Sequence, residues 1–273
     1  LRQNNFAFDQ IVVMDRIRIQ VLNPVGVFTG FTLIGLTLAS PVRAADTAII
    51  QEILDGNQLY IDSQQAKVSQ KATEPQQVST RNSRGQLLFN SGAVGRLNRF
   101  SRMQLGSSCY QLRQGQILVS GKQDGCTRSA RLSVRGTNYV LEVSEDGATE
   151  VYVLEGEVEL RSVEPNTELD QTPSTDKDQH RQPLSEQEVI IRSGESLRVS
   201  PEGTFSSLRK LTAGDYRSIF KGPLFRGFRT EIPAALSLKS YLRSQYPSVR
   251  IPSLPRIKPG SPLRLPGGRF FRF

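Results

Sequence analysis

The chain has 273 residues, of which 37% are hydrophobic and 22% charged, enough for one substantial folded domain with accessories. A single His and the absence of Trp exclude most metal sites and most Ser-His or Cys-His catalysis. The net charge of +9 is uneven: Lys221–Phe273 carries 11 Lys or Arg against Glu231, a net +10, so the preceding residues sum to −1 and offer no nucleic-acid-binding face.

Near the N-terminus, Met14 is followed by Arg16 and Arg18, then by the apolar run Val25–Ala39 and by Val42-Arg43-Ala44. A charged start, a short apolar middle and a small-residue cut site predict a secretory signal peptide over 14–44, with residues 1–13 an upstream extension. The run is shorter than the ~20 residues a spanning helix needs. Export to the periplasm or cell surface follows as the expectation, with membrane contact only through this segment or the basic tail. In an oxidising compartment Cys109 and Cys126, 17 positions apart, are predicted to form a disulfide, worth about 3 kcal/mol on the loop-closure estimate.

Ile49–Leu54 and Gln58–Ile61 flank Asp55-Gly56-Asn57, read as a hairpin turn, and the polar stretch Gln70–Ser83 reads as loop. From Gly85 to about Ser200 the periodicity is two. Ala130, Leu132 and Val134 alternate with Arg131, Ser133 and Arg135; Tyr139, Leu141 and Val143 alternate with Val140 and Glu142; Val158 and Leu160 alternate with Glu157, Glu159 and Arg161. Such alternation predicts half-buried strands, with Asp146-Gly147 and Glu155-Gly156 as reversals. The fold class expected over 45–200 is an all-β antiparallel sandwich or roll. A loose repeat of Gly followed by Gln or Glu and then a strand, at Gly85, Gly115, Gly156 and Gly194, adds a solenoid-like character. Val163–Ser185 is polar and Pro-containing and reads as a mobile insertion.

Beyond the strands, Leu208–Phe220 predicts a helix capped by Thr212, with Asp215 completing a capping box. A short helix is expected around Ala234–Ser244, inside a 223–273 tail that is rich in Pro and Arg and reads as extended.

Three stretches resemble the FecR-like domain family: Gly85–Leu97 (GQLLFNSGAVGRL), Tyr110–Val119 (YQLRQGQILV) and Ala130–Leu160. Within the last, Arg135-Gly136-Thr137-Asn138-Tyr139 and Leu154-Glu155-Gly156-Glu157-Val158-Glu159-Leu160 carry the family's Arg-Gly-Thr-x-aromatic and Leu-x-Gly-x-Val-Glu features. The resemblance spans roughly Ile49 to Ser200 and implies extracytoplasmic sensing without catalytic residues or a cofactor. Founding members regulate ferric citrate transport across the inner membrane through a sigma factor. Nothing between Met14 and Val25 resembles their cytoplasmic part, so the expectation is a stand-alone exported relative, with the membrane-anchored regulator as the alternative.

Several groups could carry chemistry. Glu155, Glu157 and Glu159 read as carboxylates on one hairpin, more simply a solvated face than a glycosidase pair. His180 lies in the polar insertion, where nothing would hold a base in place. Arg131 and Arg135, with Arg128 and with Arg96, Arg99, Arg102 and Arg113 nearby in sequence, form a candidate anion-binding patch. The tail adds Arg226, Arg229, Arg243, Arg250, Arg256, Lys258, Arg264, Arg269 and Arg272. The partner expected is an envelope protein or an anionic envelope polymer, because clustered cations attract a dense anion in a salt-dependent way.

Overall fold

In the computed structural model, residues 46–163 and 187–251 are described. The predicted signal segment, nearly all of the expected Val163–Ser185 insertion with His180, and the tail beyond 251 lie outside the described residues. So do Arg256, Lys258, Arg264, Arg269 and Arg272.

In chain order the first strands are β1 (Thr47–Leu54), β2 (Leu59–Ile61), β3 (Gln64–Gln65), β4 (Lys71–Thr73), β5 (Gln77–Thr80) and β6 (Arg84–Phe89). There follow β7 (Val94–Leu97), β8 (Arg102–Gln104), β9 (Tyr110–Gly121), β10 (Gly125–Cys126), β11 (Ala130–Val134) and β12 (Thr137–Val143). The series closes with β13 (Thr149–Glu155), β14 (Glu157–Ser162), β15 (Glu188–Arg192), β16 (Glu195–Val199) and β17 (Arg209–Lys210), then helices α1 (Ala213–Lys221) and α2 (Ala235–Gln245).

Pairing sorts these strands into two layers. One has the order β4–β1–β6–β7–β9–β12–β13–β16–β17, all antiparallel. The other runs β3–β2–β5–β8–β9–β10–β11–β14–β15, with only β9–β10 parallel. The first is called here the covered sheet and the second the exposed sheet. Strand β9 belongs to both: Tyr110–Gln114 pairs in the exposed sheet, and Gly115–Gly121 in the covered one. Alternation then does what period two demands. Leu59, Val78, Met103, Leu112, Leu132, Val158 and Leu160 meet Ile50, Leu87, Leu97, Ile117, Leu141 and Val151 in one core between the layers. The all-β sandwich is therefore as expected.

The glycine repeat acquires a structural meaning here. Gly115 bends β9 from one layer to the other, Gly156 joins β13 to β14 across layers, and Gly194 joins β15 to β16 likewise, all three with positive φ, whereas Gly85, the fourth of the repeat, lies within β6 without one. A Cβ on Gly156 would run into Thr137, so the corner needs glycine twice over, for conformation and for space. Two expected hairpins are thus corrected. Glu155-Gly156 is a corner between sheets, and Asp55-Gly56-Asn57 connects β1 in one layer to β2 in the other. A corner and a hairpin draw on the same turn residues, and only strand pairing separates them. Gln70–Ser83, expected as loop, contributes the short strands β4 and β5, whose pattern is too brief to register as periodic. Asp146-Gly147 is the hairpin predicted, with Ser144 N–H donating to Ala148 C=O.

Helix α1 starts where the sequence places its cap: Asp215 N–H donates to Thr212 Oγ1 at 3.2 Å, and Thr212 N–H donates to Asp215 Oδ2 at 2.7 Å. The expected extended tail is corrected up to residue 251. Leu224, Phe225, Ile232, Leu238, Leu242 and Val249 pack with Tyr216 and Phe220 on the outer face of the covered sheet, over Val94, Leu118, Val140 and Leu154. This second core is why Val140, predicted to face water, is buried. Prolines and arginines ended regular structure but did not prevent burial of the apolar residues between them.

Candidate functional site

Two surfaces of the sandwich hold the chain's distinctive polar groups. The first lies under the C-terminal segment. Arg96 on β7 sits beside Gln86 on β6 in direct register, on the covered sheet's outer face. It is 4% exposed and donates to Gln86 Oε1 (2.8 Å), Leu224 C=O (3.2 Å) and Thr230 C=O (2.6 Å), with its guanidinium 4.3 Å from the centre of the Phe228 ring. Burial pushes its pKa down to about 10, so it stays charged at neutral pH. Arg84 donates to the carbonyls of Pro223 and Arg226 and forms a bidentate pair with Asp55, which Arg99 also reaches at 2.7 Å. The Arg84 hydrogen bond, aided by the charges of Arg84 and Arg99, holds the Asp55 carboxyl below its ordinary value.

Glu52 completes the clasp by accepting from the N–H groups of Arg229 and Thr230. Asn138 Nδ2 donates to Ala234 C=O at 3.0 Å, and Ser120 Oγ accepts from Ala234 N–H at 3.1 Å. The hydrogen bonds to the segment named here all go to its main chain and the ring contact goes to Phe228, so the exposed side chains of Arg226 and Arg229 take no part in them. Arg96, a candidate for an anion patch, is therefore corrected to an internal anchor, whereas Arg99 is exposed and engaged by Asp55 and by Asn82 C=O. Arg84 and Glu52 escaped sequence reading altogether. Their signal was indirect: outward-facing apolar residues at Leu88, Leu118 and Val140 required a cover.

The second surface is the outer face of the exposed sheet. Alternation sends Tyr60, Gln77, Ser79, Arg102, Gln104, Gln111, Arg113, Arg131 and Ser133 away from the core. Cα register ties Gln104 to Gln111, Gln111 to Cys126, Cys126 to Arg131 and Arg131 to Arg161. Arg113 donates to Gln104 Oε1 (2.6 Å) and Arg102 to Gln114 Oε1 (2.5 Å). Among the described residues, Arg102, Arg113 and Arg131 have no carboxylate within ion-pair distance, whereas Arg161 pairs with Glu159 at 2.8 Å and Glu188 at 3.3 Å. The Cys109–Cys126 disulfide is formed and clips the loop before β9 to β10, next to this face. Arg135 is exposed but lies past the end of β11, on the corner with Gly136, and Arg128 is exposed just before β11. Arg243 on α2 and Arg250 are exposed on the far, covered side of the sandwich. Among the described residues the cationic candidates thus do not form one site: Arg102, Arg113 and Arg131 share a face, and Arg226, Arg229, Arg243 and Arg250 belong to the C-terminal segment on the other side.

The remaining candidates are engaged structurally. Glu155 on β13 accepts from Asn138 Nδ2 and Ser237 Oγ, while Glu157 and Glu159 on β14 face Arg192 and Arg161. Among the described residues no cluster of His, Cys, Asp and Glu has the arrangement to hold a metal, and no helix is long and apolar enough to cross a membrane. Arg135–Tyr139 is the crossing from β11 to β12. Gly136 makes the corner with φ of 63°, Thr137 closes against Gly156, and the Tyr139 hydroxyl, buried, donates to Gln123 C=O at 2.8 Å and lies 3.0 Å from that of Tyr110.

Residues 76–159 match the profile of the family described as FecR protein. No curated protein matches the sequence. Two crystal structures of a candidate anti-sigma factor from Parabacteroides distasonis ATCC 8503 are similar at 16% identity and a TM-score of 0.40. The alignments cover 63% and 65% of this chain and 74% and 81% of theirs. The matched span includes the Arg135–Tyr139 crossing and the Gly156 corner, and on it rests the conclusion that residues 76–159 carry a FecR domain.

Proposed function

We propose that the protein is a non-catalytic binding or sensing module of the cell envelope whose FecR domain meets an anionic envelope polymer through the outer face of the exposed sheet. One observation carries the reading: Arg102, Arg113 and Arg131 share that face without carboxylate partners among the described residues, while the opposite face is closed by the C-terminal segment. Guanidiniums that share one sheet face present donors that suit phosphate or carboxylate groups repeated along a polymer. Neutral amides from Gln77, Gln104 and Gln111 between them add hydrogen bonds to hydroxyls. The cations beyond residue 251 add attraction that salt screens. Co-sedimentation with isolated envelope, comparing the wild type with the Arg102→Gln/Arg113→Gln/Arg131→Gln variant and with a chain ending at Ile251, tests it. Binding should fall in the triple variant and with rising salt. Equal binding by the triple variant at low salt would end the reading.

A second reading, a membrane-anchored regulator that passes a signal to a sigma factor, draws on the FecR match over 76–159. It needs the Val25–Ala39 run to stay uncut. Mass spectrometry of the native protein decides between them, since a mature N-terminus at Ala45 leaves no anchor.

A further inference from the structure

Strand β15 ends the exposed sheet. Among the described residues it pairs with β14 alone, in the register Glu157–Arg192, Glu159–Ile190 and Arg161–Glu188. Ser162 N–H donates to Gln187 C=O, so the odd-numbered main-chain groups point at β14 and those of Glu188, Ile190 and Arg192 point outward. Arg192 N–H accordingly leaves the sheet and donates to Glu195 Oε2. Among the described residues, the outward groups of Glu188 and Ile190 have no main-chain partner. Ile190 is 38% exposed at the middle of this edge. An edge with open hydrogen-bonding groups and an exposed branched aliphatic residue is a template for another strand.

The sequence of β15, Glu-Val-Ile-Ile-Arg, says which strand. We propose that β15 pairs antiparallel with β15 of a second copy of this chain, about a two-fold axis through Ile190. In that register Glu188 faces the partner's Arg192, Ile190 faces the partner's Ile190, and Val189 faces the partner's Ile191. A charge row then crosses the dyad with alternating sign: Arg161, Glu188, the partner's Arg192 and the partner's Glu157. Its two halves already exist as ion pairs, Arg161–Glu188 at 3.3 Å and Arg192–Glu157 at 3.8 Å. Shifting the register by two residues sets a charge against Ile190, and shifting it by one turns core side chains outward, so charge and pleat select the same alignment. The contact is isologous and closes at two copies. Ile190 N–H and C=O exchange bonds across the axis, and Glu188 N–H donates to the partner's Arg192 C=O. The edge belongs to the same sheet as Arg102, Arg113 and Arg131, and Arg161 stands in register between Arg131 and Glu188, but the pairing uses the main chain of β15 and none of those three arginines.

Sedimentation of the purified chain over a wide concentration range should show a weak, salt-sensitive dimer. Glu188→Arg gives a strand cationic at both ends, and Arg192→Glu one anionic at both ends. Each homodimer then sets like charges opposite one another and should weaken by roughly tenfold or more. Mixed in equal amounts, the two variants are complementary and should associate again as a heterodimer. A thermal melt of each variant separates lost pairing from lost folding, which an exposed edge position should leave intact. A wild type that stays monomeric into the millimolar range overturns the proposal. So do single variants that dimerise as well as wild type, or a folded mixture that stays monomeric.

Discussion

Replacing Arg96 with alanine should release the C-terminal segment before it unfolds the sandwich. The guanidinium serves three acceptors, Gln86 Oε1 and the carbonyls of Leu224 and Thr230, and lies on the Phe228 ring. Charge-assisted bonds contribute about 1.5 kcal/mol each at the low end, and a desolvated cation–π contact about 1 kcal/mol. Against this stands the cost of burying the cation. A pKa lowered from 12.5 to about 10 corresponds to roughly 3 kcal/mol that the substitution recovers. The balance is a loss of about 2–3 kcal/mol, most of it in contacts between β7 and residues 224–230 and the remainder in the bond to Gln86 on β6. Opening of that segment should therefore become roughly a hundredfold more frequent. Hydrogen exchange at the α2 amides and tryptic cleavage after Arg226 and Arg229 measure it directly. Arg96→Lys keeps the charge but loses the fork that spans two carbonyls, and should fall between the two. Arg113→Ala, on the opposite face, should change neither readout. If Arg96→Ala leaves α2 exchange at the wild-type rate, the clasp is not what holds the segment.

Other outcomes follow from the same contacts. Asp55 has a folded pKa below its ordinary 3.8, so its pairing with Arg84 stabilises fully above that value and is lost as pH falls through the lowered one. Asp55→Asn should cost about 2 kcal/mol at neutral pH by denaturant titration, with the difference from wild type fading in strong acid. Removing the disulfide with Cys109→Ser/Cys126→Ser should lower stability by about 3 kcal/mol for a separation of 17, read as a lower denaturation midpoint with an intact far-ultraviolet spectrum. Gly156→Ala, at φ of 98° and against Thr137, should cost about 2 kcal/mol or more, whereas Gly92→Ala, with open space around it at φ of 81°, should cost only the conformational part, about 1 kcal/mol.

Much of the fold was legible because its signals are local. Two-residue alternation in Ala130–Val134 and Val158–Leu160 named the core side correctly, since a pleat leaves a side chain only two directions. The Thr212–Asp215 cap was readable for a similar reason, being complete within four residues. The corners were only half readable. Gly115, Gly156 and Gly194 announced positive φ, but whether the next strand pairs back or crosses to the other layer depends on partners far away in sequence.

The candidate surfaces divide along the same line. Alternation placed Arg131 on a solvent-facing position, nearness in sequence added Arg102 and Arg113, and the expectation of export made Cys109 and Cys126, the only two cysteines, partners. Neither alternation nor nearness could distinguish those arginines from Arg96, which has the same outward parity on its strand and differs only in being roofed by residues more than a hundred positions later. The self-complementary order of charge along Glu188–Arg192 is written in five residues, yet its meaning depended on β15 falling at a sheet edge. Periodicity and capping act through neighbours along the chain, and the sequence determined them unaided. Which face is roofed, which arginine is buried and which strand is last are properties of long-range pairing, and only the assembled sandwich decided those.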